Sequence, residues 1–194
     1  MHKLIHMLAR GLALIGGIVL VALIAITAIS ILGRAGATVA YNEFVESNLG
    51  FLAEALIASG IGPVNGDFEL VEIGIAFAIF CFLPWCQLTG GHATVDLFTS
   101  ALPARVNRFL IFFWEVVLSL AIILIAWRLG VGMSDKMRYG ETTFLLQLPV
   151  WYGFAASFAA SIAASLIAVY VAAMRGAEFW TGRDLLADSR GAGA

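Results

Sequence analysis

Four long apolar runs separated by short polar segments set the pattern of this chain. They cover residues 11–33, 70–90, 107–128 and 150–174. Each is close to or above the roughly 20 residues that an α-helix needs to cross the hydrocarbon of a bilayer. The pattern therefore predicts an all-α integral membrane protein with four transmembrane helices, in which residues 1–175 form a single membrane domain.

Composition agrees with the membrane class and argues against several others. Of the 194 residues, 61% are hydrophobic and 12% are charged, whereas soluble domains are about half apolar and a quarter charged. The net charge of −2 and the lack of a basic stripe argue against nucleic-acid binding. There is no nucleotide or hydrolase motif and no Cys/His cluster with zinc spacing. The sequence therefore predicts no enzyme, metal or cofactor.

The segments outside the runs predict the surface features. The first run is longer than the 7–15-residue core of a signal peptide, so a retained first helix is expected. Residues 35–66 mix acidic and apolar positions and predict an outward amphipathic insertion with a helix at the membrane interface. Asp67 is a candidate cap for the second span, and Glu69 suits the positive end of the helix dipole. Residues 176–194 are expected to form a polar cytoplasmic tail.

The distribution of Lys and Arg predicts the orientation. Four spans place both termini on one side, together with the segment between the second and third spans. That side carries seven Lys and Arg residues and the other side carries four. The positive-inside rule therefore predicts cytoplasmic termini and places the segment 35–66 and the loop before the fourth span outside.

Glu115 is the one acid well inside a predicted span. An intramembrane carboxylate is a candidate ion or proton site. A structural role, with a hydrogen bond to a neighbouring helix, is favoured because no second acid or base lies at the same depth. Gln87 and Ser119 are the polar residues that share the membrane with it. A self-sufficient proton-coupled transporter that uses Glu115 stays open as an alternative function.

The segment after the second span carries the turn residues. Gly90 and Gly91 can adopt positive φ and end the helix, while His92 and Asp96 suit a turn at the membrane surface. The candidates for subunit contact or assembly are Gly90, Gly91, His92, Asp96, Glu115, Gln87 and Trp114. The candidates for lipid contact have charged or aromatic side chains near span ends and are Arg34, Arg105, Arg108 and Trp151.

Three motifs at the ends of spans carry a resemblance to a known family. Gly-Asp-Phe-Glu-Leu-Val-Glu (66–72) opens the second span, and Gly-Gly-His-Ala-Thr-Val-Asp (90–96) follows it. Gly140-Glu-Thr-Thr through Leu148-Pro-Val-Trp151 leads into the fourth. With the four-span layout, their order and spacing resemble the small membrane subunit (DctQ-like, or Q subunit) of TRAP transporters, the tripartite ATP-independent periplasmic transporters. The insertion is longer than in the simplest members of that family.

The resemblance implies a three-part uptake system of the bacterial inner membrane. A periplasmic binding protein captures an organic acid, and a large membrane subunit carries it by a sodium-driven elevator motion. The small subunit is a static scaffold that helps to dock the binding protein. Because no large multi-span domain follows, a separate small subunit is expected. The implied partners are the large membrane subunit, the binding protein and membrane lipids, and the candidates for docking are Glu43, Glu46, Glu54, Asp135, Lys136 and Arg138.

Overall fold

A computed structural model describes residues 2–42, 47–91, 103–182 and 186 of the chain. The helices in these ranges are α1 (His2–Ala40), α2 (Gly50–Ala58), α3 (Asp67–Thr89), α4 (Ala104–Tyr139) and α5 (Trp151–Thr181). Four of them, α1, α3, α4 and α5, are long and apolar enough to cross a membrane. The described part of the chain contains no sheet, only one isolated bridge between Thr142 and Pro149. The prediction of an all-α protein with four membrane-spanning helices is confirmed.

The four long helices lie side by side in the order α1, α3, α5, α4. The main packing is α1 against α3, α3 against α5, and α5 against α4. At one end, called the terminus end, Ala9 of α1, Leu88 of α3 and Val171 of α5 meet Leu186 in a buried apolar cluster. The opposite end, called the loop end, carries the segments 59–66 and 140–150.

Two of the helices are longer than the apolar runs that predict them. The 39 residues of α1 and the 36 residues of α4 span more than 50 Å at about 1.5 Å per residue, against roughly 30 Å of hydrocarbon. At the loop end α1 continues to Ala40 and α4 continues to Tyr139. An apolar run predicts only the part of a helix that lies in the hydrocarbon. It therefore does not predict these extensions of α1 and α4.

The segment 35–66 differs from a single amphipathic helix. Its first residues continue α1 to Ala40, and its own helix is the nine-residue α2. Glu54 is the only charged residue of α2, so the polar face of this helix is narrow. Phe51 and Ile57 on the same helix are 81% and 46% exposed. This helix presents mainly apolar side chains to its surroundings.

The first part of the segment 176–194 packs under the bundle at the terminus end. Helix α5 continues past Met174 to Thr181 because Arg175 and Glu178, both only 6% exposed, form a buried ion pair of 2.8 Å. The other carboxylate oxygen of Glu178 accepts a 2.7 Å hydrogen bond from the backbone N–H of Leu186. Leu186 therefore lies beside α5 and packs in the apolar cluster.

Close approach between α1 and α3 depends on a small residue. A Cβ added to Gly16 would lie 2.8 Å from the Cβ of Cys81 and 3.2 Å from the backbone oxygen of Ala78. The next residue, Gly17, has nothing within 4 Å of the same added atom. Since dispersion contacts drive helix association in lipid, the short distance at Gly16 contributes directly to stability.

We expect Gly16→Ala to destabilise the protein and Gly17→Ala to leave it unchanged or more stable. Both changes gain the same helix propensity, about 1 kcal/mol. Only Gly16→Ala forces α1 away from α3, at a cost of about 1–3 kcal/mol. Thermal unfolding of the purified chain in one detergent measures the difference. Equal melting temperatures for the two variants would contradict the close packing at Gly16.

Candidate functional site

The first turn of α3 is joined to α1 by an ion pair. Asp67 Oδ2 accepts a 2.6 Å bond from Arg34 Nη2, and the same nitrogen donates to Ser30 Oγ over 3.2 Å. The guanidinium also lies 5.0 Å from the ring centroid of Phe68. The prediction that Asp67 caps α3 is wrong, because Gly66 occupies the cap position. Asp67 Oδ1 nevertheless accepts the first-turn backbone N–H of Phe68 at 2.9 Å. Arg34, a lipid-contact candidate, joins two helices through this ion pair, and 41% of its side chain is exposed.

Glu69, in the first turn of α3, holds the loop before α5. Its Oε1 accepts the backbone N–H of Leu145 at 2.6 Å, and its Oε2 accepts that of Leu146 at 2.9 Å. Gly66 has φ 75° and lies against the Leu146 side chain, where a Cβ would overlap it. The motif that opens the second span and the motif that leads into the fourth are therefore in direct contact.

The loop that Glu69 holds is a short hairpin of residues 141–150. Its two arms are joined by bonds from Thr143 N–H to the Leu148 oxygen (2.8 Å) and from Val150 N–H to the Glu141 oxygen (3.0 Å). Gln147 has φ 54° in the turn, and its amide nitrogen donates to the backbone oxygen of Phe144 at 2.8 Å. The result is an ordered loop that leaves the Phe144 side chain 88% exposed.

The charged docking candidates of α4 lie together at the loop end. Lys136 Nζ pairs with Glu141 of the hairpin at 2.5 Å, and Arg138 pairs with Asp135 at 3.3 Å. All four side chains are at least 32% exposed. Glu54 is exposed on α2. Two further docking candidates, Glu43 and Glu46, lie outside the described residues.

Between the membrane-spanning helices α3 and α4, a hydrogen bond joins two buried side chains. Gln87 Nε2 donates to Glu115 Oε2 at 2.5 Å, and the two residues are only 1% and 6% exposed. One turn further along α4, Ser119 Oγ donates to the Ala168 oxygen of α5 over 3.0 Å. Glu115 thus has a neighbouring-helix partner, as the structural interpretation expects, and the proton-transporter alternative gains no support. Trp114 points away from this contact and is 58% exposed.

The remaining candidates lie at the ends of the helices. Gly90 ends α3 with φ 61°, as predicted, whereas Gly91 does not have positive φ. His92 and Asp96 fall outside the described residues. At the terminus end, Arg105 is exposed and Arg108 is half-buried in the first turns of α4. At the loop end, the ring of Trp151 lies 4.4 Å from that of Tyr152.

A cavity lies beside the hairpin, and the sequence gives no indication of this cavity. It has a volume of about 460 Å³ and is bounded by α3, α5, Leu129 of α4 and the hairpin. Its polar lining includes Glu69, Glu72 and Ser157. Single acids near the start of an apolar run look like ordinary helix-end charges, so the pattern of the chain gives no signal for this site. Within the described residues, no group of His, Cys, Asp and Glu side chains has the arrangement of a metal site.

Most of these contacts lie in a part of the chain that matches a family model. The model is described as "Tripartite ATP-independent periplasmic transporters, DctQ component", and it matches residues 59–178, more than half of the chain. The chain belongs to the DctQ family. No curated protein and no solved structure matches it. The resemblance of the three motifs to this family is confirmed.

Membership of the DctQ family makes the chain a component of a tripartite transporter and a multi-pass membrane protein. The family is one of transporter components and not of enzymes. The match includes the Glu69 contact with the hairpin, the cavity and the Gln87–Glu115 bond. Helices α1 and α2 lie outside it.

We expect Glu69→Ala to loosen the hairpin without unfolding the bundle. The change removes a charged acceptor from two backbone N–H groups, and hydrogen bonds to a charged acceptor are stronger than neutral ones. Amide exchange at Leu145 and Leu146 should become at least tenfold faster. Hydrogen-exchange mass spectrometry of the 140–150 region measures it, with Glu54→Ala as the control. Unchanged exchange in the Glu69 variant would show that the carboxylate does not hold the loop.

Removing one partner of the buried pair should cost more than removing both. Gln87→Leu leaves the Glu115 carboxylate buried without its amide donor, which costs about 1–3 kcal/mol. Adding Glu115→Leu replaces the second polar side chain of the pair by an apolar one, so the double variant should recover most of the lost stability. Thermal unfolding of the wild-type chain, the Gln87→Leu and Glu115→Leu variants and the double variant, all in one detergent, gives the double-mutant cycle. A double variant as unstable as the sum of the single changes would refute a direct coupling.

Proposed function

We propose that this chain is the scaffold subunit of a sodium-coupled TRAP-type system that takes up an organic acid. It braces a large elevator subunit and helps to dock a periplasmic binding protein. The observation that carries the proposal is the continuity of the four spans, since each is one unbroken helix in the described residues and α3 runs on through Pro84. Secondary transporters bind substrate at discontinuous helices. A bundle of unbroken spans suits a static support.

The hydrogen bonds of the membrane-buried polar side chains support the same role. Gln87, Glu115 and Ser119 bond to neighbouring helices of the chain itself. Substrate and ion sites of transporters instead present polar groups to a water-filled path. The large subunit then meets the outer face of the bundle, where Trp114 and Trp127 of α4 are 58% and 62% exposed.

In the proposed orientation the termini are cytoplasmic, the membrane is the bacterial inner membrane and the loop end faces the periplasm. The excess of Lys and Arg on the terminus side supports it. The loop end then offers the binding protein the ion pairs of α4, the hairpin with exposed Phe144, and Glu54 of α2. Exposed charges around an aromatic anchor are typical of a specific but reversible interface.

Co-purification tests the subunit assignment. The tagged chain, extracted with native lipid, should retain a large multi-span membrane protein in fixed ratio. A binding protein should join this complex only when the solute is present or when it is added in excess. Purification of a stable homo-oligomer with no such partner would overturn the proposal.

Charge reversal tests the docking surface. Lys136→Glu combined with Arg138→Glu should weaken capture of the binding protein several-fold, mainly through slower association, because exposed interface charges steer encounter. Raising the salt concentration should shrink the difference. Arg105→Glu, at the terminus end, is the matched control. Binding-protein affinity and solute uptake that stay at the wild-type level in the double variant would place docking elsewhere.

A further inference from the structure

The cavity beside the hairpin has the size and lining of a ligand site. Its volume of about 460 Å³ lies within the usual range of about 300–1,000 Å³ for small-molecule pockets. Most of its wall is apolar and comes from Ile73, Ala76, Leu129, Phe144, Val150 and Phe154. Ala76 is exposed, so the wall is open to the surrounding lipid on that side. An apolar chain is the kind of group that such a wall accommodates.

Two polar side chains of the lining have no partner in the described part of the chain. Ser157 is 2% exposed, and its Oγ makes no hydrogen bond, whereas Ser161 and Ser165 on the same helix each donate to a backbone oxygen. A buried hydroxyl without a partner is unfavourable. Glu72 also lacks a hydrogen-bond or ion-pair partner there, in contrast to Glu69, which binds the hairpin. The cavity therefore offers one free donor and one free carboxylate.

The separation of these two groups can be read from the helices that carry them. Helices α3 and α5 run in the same direction, and an added Cβ on Gly153 would lie 2.9 Å from Ile73, so these two residues are level. Glu72 lies one residue nearer the loop end and Ser157 four residues nearer the terminus end. At 1.5 Å per residue they are about 8 Å apart along the bundle. A matching ligand has a cation near the surface, a hydrogen-bond acceptor deeper and an apolar chain.

We propose that this cavity binds an ethanolamine phospholipid from the leaflet at the loop end. The lipid ammonium donates to the Glu72 carboxylate, and an ester carbonyl accepts the Ser157 hydroxyl. Phosphate and glycerol groups cover the distance between them, and one acyl chain lies along Ala76 and Phe154. Phosphatidylglycerol has no cation and brings a net negative charge to two carboxylates, so it binds more weakly. The proposal needs only a membrane-spanning chain and does not depend on the subunit assignment.

Native mass spectrometry of the full chain in mild detergent tests the lipid preference. The protein is titrated with phosphatidylethanolamine and phosphatidylglycerol that have identical acyl chains. We expect about a tenfold preference for phosphatidylethanolamine, the size of one charge-assisted hydrogen bond. Glu72→Gln keeps the shape of the side chain and should abolish the preference. Glu54→Gln, an exposed acid of α2, should leave it unchanged.

Blocking the cavity gives an independent test of its position. Ala76→Trp fills the wall that faces lipid and should reduce retention of phosphatidylethanolamine to the level of phosphatidylglycerol. Full retention in that variant would overturn the proposed site. Equal binding of the two lipids by the wild-type chain, or an undiminished preference in Glu72→Gln, would also overturn the proposal. Since Glu72→Gln changes no packing, its lipid preference tests the site even if the tryptophan variant fails to fold.

Discussion

The loop end of this protein depends on one carboxylate. Backbone N–H groups of a loop need partners, and those of Leu145 and Leu146 find theirs in the two oxygens of Glu69. Bonds to a charged acceptor are stronger than neutral ones, so this contact fixes the hairpin over α3. The hairpin held in this way leaves Phe144 largely exposed and lines one side of the cavity. The proposed docking surface and the proposed lipid site therefore share a single structural cause.

The membrane-embedded part is held by different means. Lipid offers no hydrophobic drive for helices to associate, so contact distance and polar bonds decide the packing. Gly16 brings α1 onto α3, and the Gln87–Glu115 bond connects α3 with α4 although α5 packs between them. Small residues of α5 such as Ala160 and Ala164 are buried within this same bundle. They are already used for internal packing, which leaves the exposed face of α4 as the better surface for a large subunit.

The sequence is sufficient to predict the spans but little of the site. Bilayer thickness sets the length of an apolar run that spans it, so the four helices can be predicted. The glycine at the end of the second apolar run, Gly90, is correctly predicted to end α3. Asp67 has the residue type of a cap, but its actual partner, Arg34, lies 33 positions away. Glu69 bonds to a loop 76 residues further on, and no local pattern reports such a contact. The docking and assembly roles stay predictions, both for residues inside the described ranges and for those outside them.

The residues that match the family model make contacts with a helix outside the match. Helix α1 lies outside the matched residues 59–178, yet it supplies Arg34, whose ion pair holds the first turn of α3. The added Cβ of Gly33 would overlap the backbone of Gly62, so the segment before α3 also rests directly on α1. Helix α1 therefore contacts the matched region at the first turn of α3, two residues before Glu69. Helix α2, with Phe51 exposed, makes its main contacts with α1 alone, and it enlarges the loop-end surface without supporting the site.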